Sequence, residues 1–122
     1  MRTLTIISIL LFMYFIVLTG CVQNLPRGKF QAEEPGDIVT LDFTNSGEYK
    51  VYVNGCLVDN GIFSIHGNEI TWETSTYCKA KGSEKATYTW TIDNDTLKFQ
   101  VKGEDNCGSR FDDFQYTYKR VE

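Results

Sequence analysis

Histidine and proline are scarce in this sequence, which has one histidine, His66, and two prolines in 122 residues. Zinc is normally held by three or four protein ligands, and a Cys–His nucleophile needs a third group to orient the histidine. His66 stands beside Gly67-Asn68, a pair typical of a turn, and no pattern places it near Cys56. We therefore expect His66 to be an exposed turn residue, and we expect neither a metal site nor a cofactor.

Positive charge is scarce as well. Lys and Arg number 12 against 16 Asp and Glu. The first twenty residues contribute only Arg2, so the remainder has 11 basic and 16 acidic side chains, a net charge of −5. An acidic surface disfavours nucleic acid and electrostatic adhesion to anionic lipid. We exclude nucleic acid as a partner.

No arrangement of side chains typical of catalysis is present. Adjacent acidic pairs occur at Glu33-Glu34 and Asp112-Asp113. Neighbours in an extended strand point to opposite faces, so neither pair is expected to converge on one substrate bond. The spacing of Glu104-Asp105-Asn106 matches no calcium-binding loop. We expect solvated surface at these positions and no enzymatic activity.

A helical repeat is also lacking, because from Asp37 onward apolar residues alternate with polar ones. The clearest strand runs from Thr87 to Ile92, and Asp93-Asn94-Asp95 favours a turn into the next strand, Leu97 to Val101. Further strands are predicted over residues 39–43, 49–53, 61–65, 70–72 and 111–119, with 28–31 as a candidate first strand. About eight short antiparallel strands in chain order form a meander, which best avoids exposed edges by closing into a barrel. We predict an all-β barrel.

One long apolar run is present, from Leu4 to Leu18 after Arg2. Its length of about 15 residues is typical of the apolar part of a secretory signal peptide and short of the roughly 20 that span a bilayer. We predict a cleaved signal peptide. A retained anchor from Met1 to Val22 is the alternative.

Leu18-Thr19-Gly20-Cys21 follows this run directly. It resembles the lipobox of prokaryotic lipoproteins, which implies cleavage before Cys21 and diacylglyceryl and palmitate-type lipid on that residue. Two or three acyl chains anchor a protein stably, whereas one binds only marginally. The resemblance implies export and a membrane anchor, in the outer face of the cytoplasmic membrane or in the outer membrane.

These features divide the chain into three parts. Residues 1–20 are the predicted signal peptide, residues 21–27 are the lipidated Cys21 with a polar linker, and residues 28–122 form the domain. About 100 residues are enough for one domain with a modest core.

Three cysteines remain once Cys21 carries lipid. Export permits a disulfide, and an odd number leaves one thiol over. Cys78 and Cys107 lie in predicted loops at strand ends, whereas Cys56 belongs to an Asn54-Gly55-Cys56 turn. We predict a disulfide between Cys78 and Cys107.

The inward face of the predicted barrel is rich in aromatic residues. An eight-stranded barrel is just wide enough to be filled by side chains or to hold one small ligand, and most of these rings are expected to form the core. Where the interior is open, tyrosine hydroxyls and indole N–H groups are expected to orient a ligand. The candidate ligand-binding residues are Tyr49, Trp72, Tyr88, Trp90 and Tyr116.

Five segments of the domain share a pattern of turns and aromatic residues. They are Gly61-Ile62-Phe63-Ser64-Ile65, Asn68-Glu69-Ile70-Thr71-Trp72, Thr87-Tyr88-Thr89-Trp90, Asp95-Thr96-Leu97-Lys98-Phe99 and Asp105-Asn106-Cys107-Gly108-Ser109-Arg110. This pattern resembles the small lipocalin-like, or calycin-type, domains of prokaryotic lipoproteins. The resemblance implies a closed barrel that binds a small apolar molecule, with Asp105 and Arg110 in a structural cluster at the barrel end. Gly28-Lys29-Phe30 stands where a lipocalin has Gly-x-Trp.

Two functions are therefore expected. The first is a membrane-anchored binding protein for a small apolar ligand. The second is a filled barrel that binds an envelope protein through its loops, for example as an inhibitor of a cell-wall hydrolase. Lys81 to Tyr88 is similar to the inhibitory loop of lysozyme inhibitors, some of which are small disulfide-bonded barrel lipoproteins. Interior volume separates the two functions, since ligand sites usually occupy roughly 300 Å³ or more.

Overall fold

The computed structural model of the protein describes residues 27–80 and 82–122. The predicted signal peptide, Cys21 and Lys81 lie outside these residues. Neither of the helices in the described ranges has the length and apolar character needed to cross a membrane.

Eight antiparallel strands follow one another around a closed barrel in chain order, and the first strand pairs with the last. They are β1 (Lys29–Glu34), β2 (Asp37–Asn45), β3 (Glu48–Val53), β4 (Cys56–His66), β5 (Glu69–Trp72), β6 (Ala86–Asp93), β7 (Thr96–Lys102) and β8 (Tyr118–Arg120). Two short helices interrupt the meander: α1 (Thr76–Ala80) follows β5, and α2 (Gly108–Asp113) follows β7. The predicted all-β meander barrel is confirmed.

Turns with left-handed backbone join neighbouring strands. Asn54 and Asn94 have φ angles of 52° and 56°, a conformation that asparagine tolerates better than most residues. Asn54 also links two hairpins, because its side-chain oxygen accepts a hydrogen bond from the Ile38 N–H and its own N–H donates to the Ile38 carbonyl, both at 2.9 Å. The β1–β2 and β3–β4 turns therefore lie side by side at one end of the barrel.

The two ends of the barrel differ. One end carries the β1–β2 and β3–β4 turns and both helices, and we call it the helical end. The other end carries the remaining three turns and both ends of the described chain, and we call it the terminal end. There the Lys29 N–H donates to the Glu122 carbonyl at 3.1 Å. The described part of the chain therefore begins and ends at the end opposite the helices.

Aromatic side chains around Trp72 fill much of the interior. Trp72 stacks on Phe114 with ring centroids 4.9 Å apart and meets the Tyr49 ring edge-on at 4.8 Å. Large aromatic rings bury more apolar surface per residue than any other side chain, so this cluster dominates the apolar burial of the fold. The other fully buried aromatic residues are Phe30, Phe43, Tyr88, Trp90 and Tyr118.

A disulfide joins the two helical connections. Cys78 of α1 and Cys107, immediately before α2, have Cα atoms 5.7 Å apart, and the predicted bond between them is confirmed. Closing a loop of this length contributes about 3 to 4 kcal/mol in the chain-entropy model. Cys56 begins β4 instead of lying within the turn, and its thiol is free and exposed.

The sequence predictions are wrong in two places. The pattern predicts no helix, yet α1 and α2 are helical, and the predicted strand over residues 111–119 consists of the end of α2, a turn and the short β8. Helices of five and six residues are too short to give a 3.6-residue repeat over the usual window of 11 to 18 residues. Local contacts hold them instead: the Ser75 hydroxyl caps α1 by accepting the Cys78 N–H at 3.0 Å.

Candidate functional site

A cavity of about 270 Å³ lies at the helical end of the barrel. Its wall is mainly apolar and includes Leu41, Val51, Val53, Val58 and Phe114. At about 30 Å³ for a group of water or methylene size, the cavity accommodates roughly nine such groups. This is just below the usual range for ligand sites. The barrel is therefore neither completely filled nor a deep cup.

A β-bulge shapes one side of this cavity. Val51 pairs with Asp59 and Tyr52 pairs with Leu57, so Val58 is an extra residue in β4. A bulge re-aims side chains at the point where it occurs. Val58 and Asp59 both line the cavity as a result.

Asp59 connects the barrel wall to α1. Its carboxylate accepts the Tyr77 N–H at 3.1 Å and the Ser75 hydroxyl at 2.8 Å. The Tyr49 hydroxyl lies 3.3 Å from the same carboxylate and donates to the Thr74 carbonyl at 2.8 Å. Burial raises the pKa of Tyr49, and the negative charge of Asp59 adds to this effect. Tyr49 therefore presents a neutral hydroxyl to the cavity.

Arg110 of α2 and Asp105 form a buried ion pair, with only 5% of the Arg110 side chain and none of the Asp105 side chain exposed. Arg110 donates from Nε and Nη2 to the two carboxylate oxygens, each at 2.8 Å, and from Nη1 to the Glu84 carbonyl at 2.6 Å. Tyr88 donates to the same carboxylate at 2.6 Å. Burial opposes ionisation of Asp105, but the hydrogen bonds from Arg110 and Tyr88 outweigh it and hold its pKa below the ordinary value.

Two carboxyl groups meet at the helical end. Asp113 is the last residue of α2 and lines the cavity. Its carboxyl is hydrogen-bonded to that of Glu34 at the end of β1. Burial, the hydrogen bond to Glu34 and the charges of Glu34 and Asp112 together raise the pKa of Asp113 to about 7, and burial is the largest of these causes. The sequence pairs Glu33-Glu34 and Asp112-Asp113 do not converge within themselves. Instead, Glu34 of the first pair contacts Asp113 of the second. This contact was missed because Asp113 lies in a helix and not in an extended strand.

We expect thermal stability to fall as pH rises from about 5 to 8. Asp113 keeps its proton in the folded protein up to about pH 7, whereas its ordinary pKa is 3.8. The unfolded chain therefore binds fewer protons in this window, and unfolding becomes more favourable as pH rises. Asp113→Asn is expected to flatten the pH dependence and to raise the Tm at pH 8 by about 4 °C or more.

Differential scanning fluorimetry across this pH range measures the effect. Asp93→Asn, which changes an exposed carboxyl at the end of β6, is the matched control and is expected to keep the wild-type slope. Equal slopes in Asp113→Asn and wild type would contradict the raised pKa of Asp113.

One of the five candidate ligand-binding residues, Tyr49, lines the cavity. Trp72, Tyr88 and Trp90 are buried in the core, and Tyr116 is partly buried and packs against it. The indole N–H groups of Trp72 and Trp90 have no hydrogen-bond partner among the described residues. The cavity residues missed by the sequence are chiefly those of the bulge and the two helices. Ser75, a good capping residue three positions before Cys78, was a signal that α1 begins there.

The helical end also exposes apolar side chains near the cavity. Val58 and Tyr77 line the cavity and are themselves exposed. Apolar groups at such a rim are typical of a binding surface. The exposed large apolar side chains at this end are Ile38, Leu57, Val58, Tyr77 and Phe111.

Comparison with known proteins found no matching family model, no matching curated protein and no matching solved structure. The class of protein is therefore the one that the fold and cavity define, a closed eight-stranded β-barrel with an apolar cavity at one end. In residues 27–80 and 82–122, no group of three His, Cys, Asp or Glu side chains is arranged to hold a metal ion.

Proposed function

We propose that the protein is a membrane-tethered binding protein whose cavity takes a small apolar or amphipathic molecule. The observation that carries the proposal is the apolar cavity at the helical end, with a few polar groups at fixed positions in its wall. The lipobox resemblance at Cys21 supports the tether, and the resemblance to lipocalin-like domains agrees with a closed barrel.

The cavity limits the size of the ligand. Phe114 lines the cavity and also stacks on Trp72, so the filled part of the barrel begins at this ring. The remaining space suits an apolar chain of about eight carbons, taking roughly 30 Å³ for each group. A much longer ligand would extend through the rim.

We expect the domain to bind octan-1-ol at one site. A chain beginning at Val22 contains every strand, both helices and the disulfide, and a cooperative thermal transition verifies its folding. For a ligand of this size, affinity in the micromolar to millimolar range is expected. Isothermal titration calorimetry gives the stoichiometry and Kd.

Val53→Phe places a larger side chain in the cavity and is expected to abolish this binding. Ile62→Phe makes a similar change at an exposed position of β4 and is expected to leave it intact. Octanol binding that survives Val53→Phe, or no binding by the folded wild-type domain, would contradict the proposed function.

The tether has its own test. Cys21→Ser removes the predicted site of both lipid and cleavage, and we expect it to abolish the incorporation of labelled palmitate into the full chain in a prokaryotic host that processes lipoboxes. Cys56→Ser, which changes the free exposed thiol, is the control and is expected to incorporate the label and to be cleaved. A wild-type chain that incorporates no label and keeps residues 1–20 would favour the uncleaved anchor from Met1 to Val22.

A second function, binding of an envelope protein, is supported by the exposed apolar side chains of the helical end. Leu57, Tyr77 and Phe111 are large and exposed there. Apolar and aromatic groups are frequent in protein interfaces. A folded domain that binds no octanol would favour this function, with inhibition of a cell-wall hydrolase as the first activity to assay.

A further inference from the structure

The charged groups in the cavity wall determine which charge the cavity favours at the polar end of a ligand. Three charged residues line the cavity: Asp59, Arg110 and Asp113. A charge favours a ligand of opposite sign only where it is not already balanced by a neighbour within the protein. The inference below rests on the proposed function, because it concerns the ligand of the same cavity.

The positive charge of Arg110 is already balanced. Both carboxylate oxygens of Asp105 accept hydrogen bonds from Arg110, and a third guanidinium N–H is bound by the Glu84 carbonyl. The pair is almost fully buried, so water screens it little. An anionic ligand would have to compete with Asp105, and Arg110 is therefore a poor partner for a carboxylate.

The negative charge of Asp59 is not balanced in this way. Its hydrogen-bond donors are the Tyr77 N–H, the Ser75 hydroxyl and the more distant Tyr49 hydroxyl, all of them neutral groups. Among the described residues, none of the ion pairs includes Asp59. A cation in the cavity would supply the missing counter-charge.

Asp113 reinforces this preference. Its carboxyl shares a hydrogen bond with Glu34, and the ion pairs of the described residues include neither of these two groups. The charges of the two carboxyls oppose each other, and a cation beside Asp113 would relieve this repulsion. The rings of Tyr49, Tyr77 and Phe114 also line the cavity, and aromatic faces attract cations.

We propose that the cavity selects an amphiphile with a cationic amine at its polar end, held by the carboxylate of Asp59 with the Asp113 carboxyl beside it, over one with a carboxylate or an uncharged hydroxyl. The apolar wall takes the chain of the ligand, and the aromatic rings flank the ammonium group.

Three ligands with the same chain test the selection: octylammonium, octan-1-ol and octanoate, titrated calorimetrically into the folded domain at pH 7. Octylammonium is expected to bind at least tenfold more tightly than either of the others. Asp59→Asn keeps an oxygen to accept the Tyr77 N–H, and it is expected to reduce the preference for octylammonium over octanol to threefold or less. Asp59→Ser removes the same charge and serves in the same way if Asp59→Asn does not fold.

Each result decides between the proposals. Octanoate binding as tightly as octylammonium would overturn the amine selection and leave the apolar cavity in place, with Arg110 as the polar partner. Octylammonium binding that persists in Val53→Phe would also overturn it, because the amine would then be on the acidic surface. Binding of none of the three ligands would overturn the proposed function itself.

Discussion

Replacing Arg110 with methionine is expected to destabilise the folded protein by about 4 kcal/mol. The change leaves the Asp105 carboxylate buried without its ion-pair partner and the Glu84 carbonyl without one of its donors. Breaking a buried ion pair by removal of one partner typically costs about 3 to 5 kcal/mol. Methionine keeps an unbranched chain of similar length, so the lost charge and hydrogen bonds account for most of the effect.

Urea unfolding at pH 7 measures this loss, provided that the slope of the transition is unchanged. Lys85→Met is the matched control, because Lys85 pairs with Glu73 at 3.3 Å while 70% of its own side chain is exposed. Exposed pairs contribute about 0.2 to 1 kcal/mol. A loss in Arg110→Met no larger than in Lys85→Met would show that the buried pair does not stabilise the fold.

Lowering the pH distinguishes the electrostatic contribution of the Arg110–Asp105 pair to stability from the contribution of its packing. The contribution of the ionised Asp105 is present above its ordinary pKa of 3.8 and is lost as pH falls through the lower pKa of the folded protein. The difference in stability between wild type and Arg110→Met is therefore expected to narrow below about pH 4. A difference that is independent of pH would indicate lost packing instead.

Gly61→Ala is expected to destabilise the protein by about 3 kcal/mol, near the upper end of the usual cost of overpacking. Gly61 faces inward opposite Tyr49, and the space beside it is occupied by the backbone of Thr74. A Cβ at residue 61 would lie 2.0 Å from the Thr74 carbonyl oxygen. This backbone cannot shift freely, because the Tyr49 hydroxyl donates to that carbonyl and the Ile62 N–H donates to the Thr74 hydroxyl.

The Tm of Gly61→Ala is expected to fall by about 12 °C or more. Gly108→Ala is the control, since a Cβ there meets no atom within 4 Å and alanine favours the helix that begins at this residue. We expect Gly108→Ala to be neutral or slightly stabilising. Similar losses in the two variants would mean that the space beside Gly61 is not limiting.

Much of the barrel was predictable because its strands are regular. Alternating residues such as those from Thr87 to Ile92 place one face inward, and Asn54-Gly55 and Asp93-Asn94-Asp95 mark turns. The disulfide was predictable from the positions of Cys78 and Cys107 in the connections. Each of these features depends on residues close together in sequence or on simple alternation.

The cavity was less predictable, because alternation shows which face a side chain takes but not its depth in the barrel. Tyr49 and Trp72 both point inward, yet Tyr49 lines the cavity while Trp72 packs in the core. The bulge at Val58 depends on pairing across two strands, which a local pattern does not contain. The contact between Glu34 and Asp113 depends on α2, a helix too short to have a recognisable period.

The placement of the cavity opposite the chain ends has a consequence for the direction in which the cavity opens. With lipid on Cys21, as proposed, residues 22–28 reach at most about 25 Å and enter the barrel at its terminal end. The cavity lies about one strand length farther out, roughly 20 Å. With the barrel upright on this tether, the cavity opens toward the aqueous compartment and away from the anchoring bilayer. Attaching the protein to a support through Glu122 would likewise leave the cavity facing the solution.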